Sequence, residues 1–124
     1  MQHTSLFLNL VNEAKMQITE TDAHSVNKML AHQESFSLID VREESEWARG
    51  HLPNAIHLSK GIIERDIEKH IPDTHTKIVL YCGGGFRSAL AGSNLKKMGY
   101  QNVISMDGGF GAWAHAGFEI VISS

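Results

Sequence analysis

The chain has 124 residues, enough for one domain with a core of its own. Hydrophobic residues make up 42 % and charged residues 20 %, a globular balance that excludes a disordered polymer. A net charge of −3 argues against a nucleic-acid surface, and the single cysteine, Cys82, excludes an internal disulfide and a zinc site built on thiolates alone.

Residues 1–15 read as an N-terminal amphipathic helix, with Phe7, Leu10, Val11 and Ala14 at helical spacing. The uncharged start and the break at Asn9 do not fit a secretory signal. The simplest reading packs this helix on its own domain; a contact with a second copy is the alternative. The run "MQIT" near residue 16 has strand character. In "TETDAHSVNKMLAHQ", Thr and Asp are cap residues, and Ala23, Val26, Met29 and Leu30 share one face. "FSLIDV" reads as a buried strand and "AIHL", from Ala55, as a weaker one. "GIIERDIEKHI" is helical through Ile62, Ile63, Ile67 and Ile71. "KIVLYC" has the strongest strand pattern. "RSALAGSNLKKMG" is a helix stopping at Gly99, "NVISM" a strand, and "GFGAWAHAG" a short helix ending at Gly117. Strands alternating with helices predict an α/β fold, a parallel sheet of about five strands with helices on both faces. No run approaches the length of a membrane span, and the free thiol suits a reducing cytoplasm.

In such a fold, ligands bind beyond the carboxyl ends of the strands, where Cys82 is expected. Gly83, Gly84 and Gly85 let the chain turn tightly and aim several N–H groups inward. The helix beginning near Phe86 or Arg87 turns its positive end to the same spot. Such a place stabilises an anion, and the thiolate, the nucleophilic form of cysteine, is an anion. Arg87 adds a fixed positive charge that could face a bound oxyanion. A cysteine alone at a strand end would read as a small buried hydrophobe. Cys-Gly-Gly-Gly-Phe-Arg-Ser between a strand and a helix reads as a reactive site.

Four segments in order resemble the rhodanese-like sulfurtransferases: "LIDVREESEW" the family's Asp-x-Arg stretch, "GHLPNAIHL" its Gly-His-Ile-Pro-Gly-Ala element, "CGGGFRS" its Cys-x-x-Gly-x-Arg loop, and "MDGGFGAWAHAGFEI" its closing element. The likeness covers roughly residues 16–122, so residues 16–124 are expected to form a rhodanese-like domain behind the N-terminal helix. Asn54 stands where the family usually has glycine, and asparagine tolerates the left-handed backbone of such a turn better than most residues. The resemblance implies that Cys82 takes the outer sulfur of a donor such as thiosulfate. It then carries a persulfide and passes the sulfur to cyanide, a thiol or a protein acceptor, without a metal or organic cofactor. The amides from Gly83 to Ser88 would steady the persulfide, and Arg87 would orient the donor's oxyanion.

Cys82 and Arg87 are separated by four residues. Cysteine phosphatases of the same fold resemble one another in a loop one residue longer, which fits a tetrahedral phosphate. A phosphatase or arsenate reductase is therefore the second enzyme reading, and a non-catalytic binding module the third. Asp40 and Arg42 read as supporting residues: Asp40 accepts loop or arginine hydrogen bonds, and Arg42 pairs with Glu43, Glu46 or Asp40. The eight histidines show no tight ligand pair. His51 and Pro53 read as turn formers, and Trp47 and Trp113 as core or pocket wall.

Overall fold

A computed structural model describes residues 2–123. In chain order its elements are α1 (Ser5–Lys15), β1 (Thr19–Thr21), α2 (Ala23–Ala31), β2 (Ser37–Asp40), α3 (Glu44–Arg49), β3 (Ile56–His57), α4 (Ile63–His70), β4 (Ile78–Tyr81), α5 (Phe86–Lys97), β5 (Val103–Met106) and α6 (Gly109–His115). The strands form one five-stranded sheet in the order β1-β5-β4-β2-β3. Every neighbouring pair is parallel, as the alternation of elements predicts.

Strand β4 explains the two layers. Successive side chains of a strand point to opposite faces. Ile78 and Leu80, with Cys82 just beyond, join the cluster that Ile63 and Ile67 of α4 and Ala91 and Leu95 of α5 complete. Val79 and Tyr81 face the other way, onto Val26 of α2 and Trp113 of α6. All four residues of β4 are buried, because helices cover both faces. Helix α2 starts where its cap predicts: Asp22 accepts a hydrogen bond from the Ser25 amide at 2.8 Å. No helix of the described residues is long and apolar enough to cross a membrane.

Three expectations change. Strand β1 starts at Thr19, because Met16 and Gln17 close the last turn of α1. Helix α1 packs on α5 through Val11 and Ala14, whereas Leu10 stays 55 % exposed on its outer side. Helix α3 has no counterpart in the sequence reading. It buries no residue, so it carries no apolar period to read. Its visible signal is a capping-box spacing with glutamate at both positions: the Glu43 amide donates to Glu46 Oε1 at 3.1 Å.

Candidate active site

Cys82 follows the carboxyl end of β4, and its residue surface is 1 % exposed. The Gly85 amide donates to its Sγ at 3.1 Å and the Ser88 amide at 3.4 Å. The Ser88 hydroxyl lies 3.5 Å from the sulfur and 2.8 Å from the Ser105 hydroxyl. The sulfur thus sits where two N–H dipoles converge at the start of α5, an arrangement that favours negative charge.

Helix α6 holds the first two carbonyls of this loop. The Phe110 amide donates to the Cys82 carbonyl at 2.7 Å, and the Gly111 amide to the Gly83 carbonyl at 3.0 Å. These are first-turn amides of α6, free to bond outside their own helix. The close approach needs Gly109. Its φ is +54°, and a Cβ there would lie 2.4 Å from the Cys82 carbonyl oxygen. Gly85, at φ +101°, forms the left-handed corner before α5.

Arg87 lies beside the loop but is already paired. Its Nη1 donates to Glu46 Oε1 at 2.8 Å and its Nη2 to Oε2 at 3.1 Å. That bond holds the guanidinium above its ordinary pKa against the cost of partial burial, with the sulfur a smaller influence. In return Arg87 holds the Glu46 carboxyl below its usual range. A Cβ at residue 83 would lie 3.0 Å from Arg87 Nη2, so Gly83 leaves the pair its room.

Asp40 and Arg42 form a second, buried pair. Arg42 donates through Nε and Nη2 to both Asp40 oxygens at 2.8–3.1 Å, and through Nη2 to the Gly50 carbonyl at 2.6 Å. Its guanidinium lies 4.2 Å from the centre of the Phe110 ring. Their side chains make no hydrogen bond to residues 83–88 among the described contacts. The pair braces the Gly50 segment and, through Phe110, the start of α6, while the carboxylate that reaches the cysteine loop is that of Glu46.

Cys82 lines a cleft of about 850 Å³. Gly84, Phe86 and Arg87 of the loop line one side, and Gln2, His3, Thr4 and Phe7 the other. A model of the Rhodanese-like domain matches residues 22–116.

The chain belongs to the rhodanese-like domain family. It is 36 % identical over 104 residues to a sulfurtransferase of Allochromatium vinosum, covering 84 % of this chain and 95 % of that one. The polysulfide-sulfur transferase homodimer of Wolinella succinogenes is similar in structure, with a TM-score of 0.79 at 28 % identity, covering 97 % of this chain and 90 % of that one. A Rhodopseudomonas palustris protein described as a possible tyrosine phosphatase has a TM-score of 0.82 at 27 % identity, covering 98 % of this chain and 99 % of that one.

Sequence reasoning missed Ser105 within this rhodanese-like domain and the place of His3 and Phe7 at the cleft, and it offered Glu46 only as a partner for Arg42. Ser105 is fully buried on β5 beside Leu80 of β4. Its signal was a hydroxyl inside an otherwise apolar strand. Trp47 is sandwiched between two histidines, stacked at 3.6 Å on His51 and 5.1 Å on His57. His51 is buried and bridges to the C-terminal segment through Val121, and Asn54 takes the left-handed turn at φ +65°. Among the described residues, no group of three or more His, Cys, Asp or Glu is placed to hold a metal ion.

Proposed function

We propose that this domain is a sulfurtransferase that moves a sulfane sulfur through a persulfide on Cys82. One observation carries the reading: in a domain of this family, Sγ stands where the Gly85 and Ser88 amides converge. The Cys82 thiolate attacks the outer sulfur of thiosulfate. The S–S bond of the donor breaks, and sulfite leaves with the electron pair. A Cys82–S–S⁻ persulfide remains, and the amides of the loop from Gly83 to Ser88 steady its charge. Cyanide or a thiol, free or on a partner protein, then attacks the outer sulfur and the Cys82 thiolate leaves. Two half-reactions of this kind give ping-pong kinetics. Similarity to a sulfurtransferase and to a polysulfide-sulfur transferase supports the reading. In it, Arg87 is a donor-orienting residue, Asp40 and Arg42 are supporting residues, and residues 1–15 are an N-terminal segment, helical over Ser5–Lys15, added to a domain of residues 16–124. A free thiol of this kind suits a reducing compartment such as the cytoplasm.

The test is mass spectrometry of the intact protein after exposure to thiosulfate. One added sulfur is expected on the wild type and none on Cys82→Ser, and cyanide should remove it. No adduct with any sulfane donor overturns the reading. The similarity to a possible tyrosine phosphatase motivates the second reading, phosphoester hydrolysis at the same cysteine. Release of nitrophenol from p-nitrophenyl phosphate that is lost in Cys82→Ser would favour it.

A further inference from the structure

Gln2, His3, Thr4 and Phe7 precede the matched family region, which begins at residue 22, yet they wall the cleft above Cys82. Three rings meet there. His3 lies 4.9 Å from the Phe86 ring in an edge-on arrangement and 5.3 Å from Phe7, and Phe7 lies 6.2 Å from Phe86. Phe86 comes from the cysteine loop itself, so the reacting loop and the N-terminal segment share one aromatic surface. The wall is anchored. Val11, one turn after Phe7 on the same side of α1, is fully buried, and Lys15 sits 5.3 Å over the Phe86 ring while pairing with Asp107 at 3.2 Å. The charge of Arg87, the cation lining this cleft, is already matched by Glu46. A small inorganic dianion uses none of these rings, whereas an apolar group covering them would remove their exposed surface from water.

We propose that His3, Phe7 and Phe86 form a specificity wall that holds the apolar body of an organic sulfane donor of the thiosulfonate class, R–SO₂–S⁻, with its outer sulfur over Cys82. This rests on the sulfurtransferase reading. The Cys82 thiolate attacks the outer sulfur, the sulfur–sulfur bond breaks, and the sulfinate R–SO₂⁻ leaves with the electron pair. The two negative charges entering end on the persulfide and the sulfinate. Phe7 and His3 are specificity residues, and they leave the thiol chemistry to the loop.

The experiment compares thiosulfate with benzenethiosulfonate, with cyanide as acceptor, in the wild type, Phe7→Ala and His3→Ala. His3 precedes α1 and is exposed, so its variant keeps the test open should Phe7→Ala fold poorly. Loss of one aromatic contact should raise the KM for benzenethiosulfonate roughly three- to tenfold and leave kcat/KM for thiosulfate within about twofold. Equal losses on both donors, or none on either, overturn the proposal. Calorimetric titration with benzenesulfinate supplies a readout without turnover. If the wild type forms no persulfide from either donor, the sulfurtransferase reading fails. The wall then stands only if benzenesulfinate still binds the wild type and binds the two variants more weakly, and it falls if benzenesulfinate does not bind.

Discussion

Glu46 and Arg87, 41 residues apart in the chain, face each other through two hydrogen bonds of 2.8 and 3.1 Å at the lip of the Cys82 loop. The same carboxylate closes the first turn of α3 through the Glu43 amide. One side chain therefore ties a short helix with no buried residue of its own to the loop that carries the thiol.

This pair predicts a pH-dependent part of stability. The bond from Arg87 lowers the pKa of Glu46 from an ordinary 4.5. A carboxyl whose folded pKa is depressed stabilises the fold above its unfolded pKa and loses that contribution as pH falls through the folded value. The melting temperature of Glu46→Gln should lie below the wild type by a constant amount from near-neutral pH down to about 4.5, and the gap should close below it. Both side chains are about a third exposed, so the gap should correspond to no more than about 1 kcal/mol. A gap that persists at low pH would assign the loss to packing instead of charge.

Arg87→Ala should lower kcat/KM for thiosulfate by about tenfold, the lower end for a charge-assisted contact, because Glu46 already compensates the arginine. A neutral organic polysulfide should suffer less. Steady-state rates with the two donors decide it: an equal loss means that Arg87 holds the loop and does not read the donor's charge.

Asp40→Ala should be the most damaging of the charge changes. It strands Arg42, whose side chain is 5 % exposed, without its carboxylate. Leaving one partner of a buried pair costs about 3–5 kcal/mol. The urea midpoint should fall accordingly, whereas Lys77→Ala, from a surface pair with Glu34, should move it by no more than about 1 kcal/mol.

Gly109 and Gly84 should respond oppositely to alanine. At Gly109 a Cβ meets backbone, 2.4 Å from the Cys82 carbonyl oxygen and 2.8 Å from that of Gly83, and the left-handed φ adds its own cost. A loss of about 2–4 kcal/mol in urea unfolding is expected, with sulfur transfer falling as the loop carbonyls are displaced. At Gly84 a Cβ meets nothing within 4 Å, so the fold should change by about 0.5 kcal/mol or less. A stable, active Gly109→Ala would show that the α6 amides do not set the loop.

What the sequence determined by itself is local. The β-branched run before Cys82, the glycines after it and the cap residues Asp22 and Gly99 act within a few residues, and each is found at its predicted place. That was enough for a parallel sheet with the thiol at a strand's carboxyl end. The tertiary structure decided who meets that thiol. In the order β1-β5-β4-β2-β3, strand β4 lies between β5 and β2, so the segments following those two strands are carried to its carboxyl end. From the β2 side comes α3 with Glu46; on the β5 side lie Ser105 and the first amides of α6. Packing of Val11 and Ala14 on α5 brings Phe7 over the cleft. None of these partners lies near Cys82 in the chain, and no periodicity records them, because strand order is fixed by how the whole core closes.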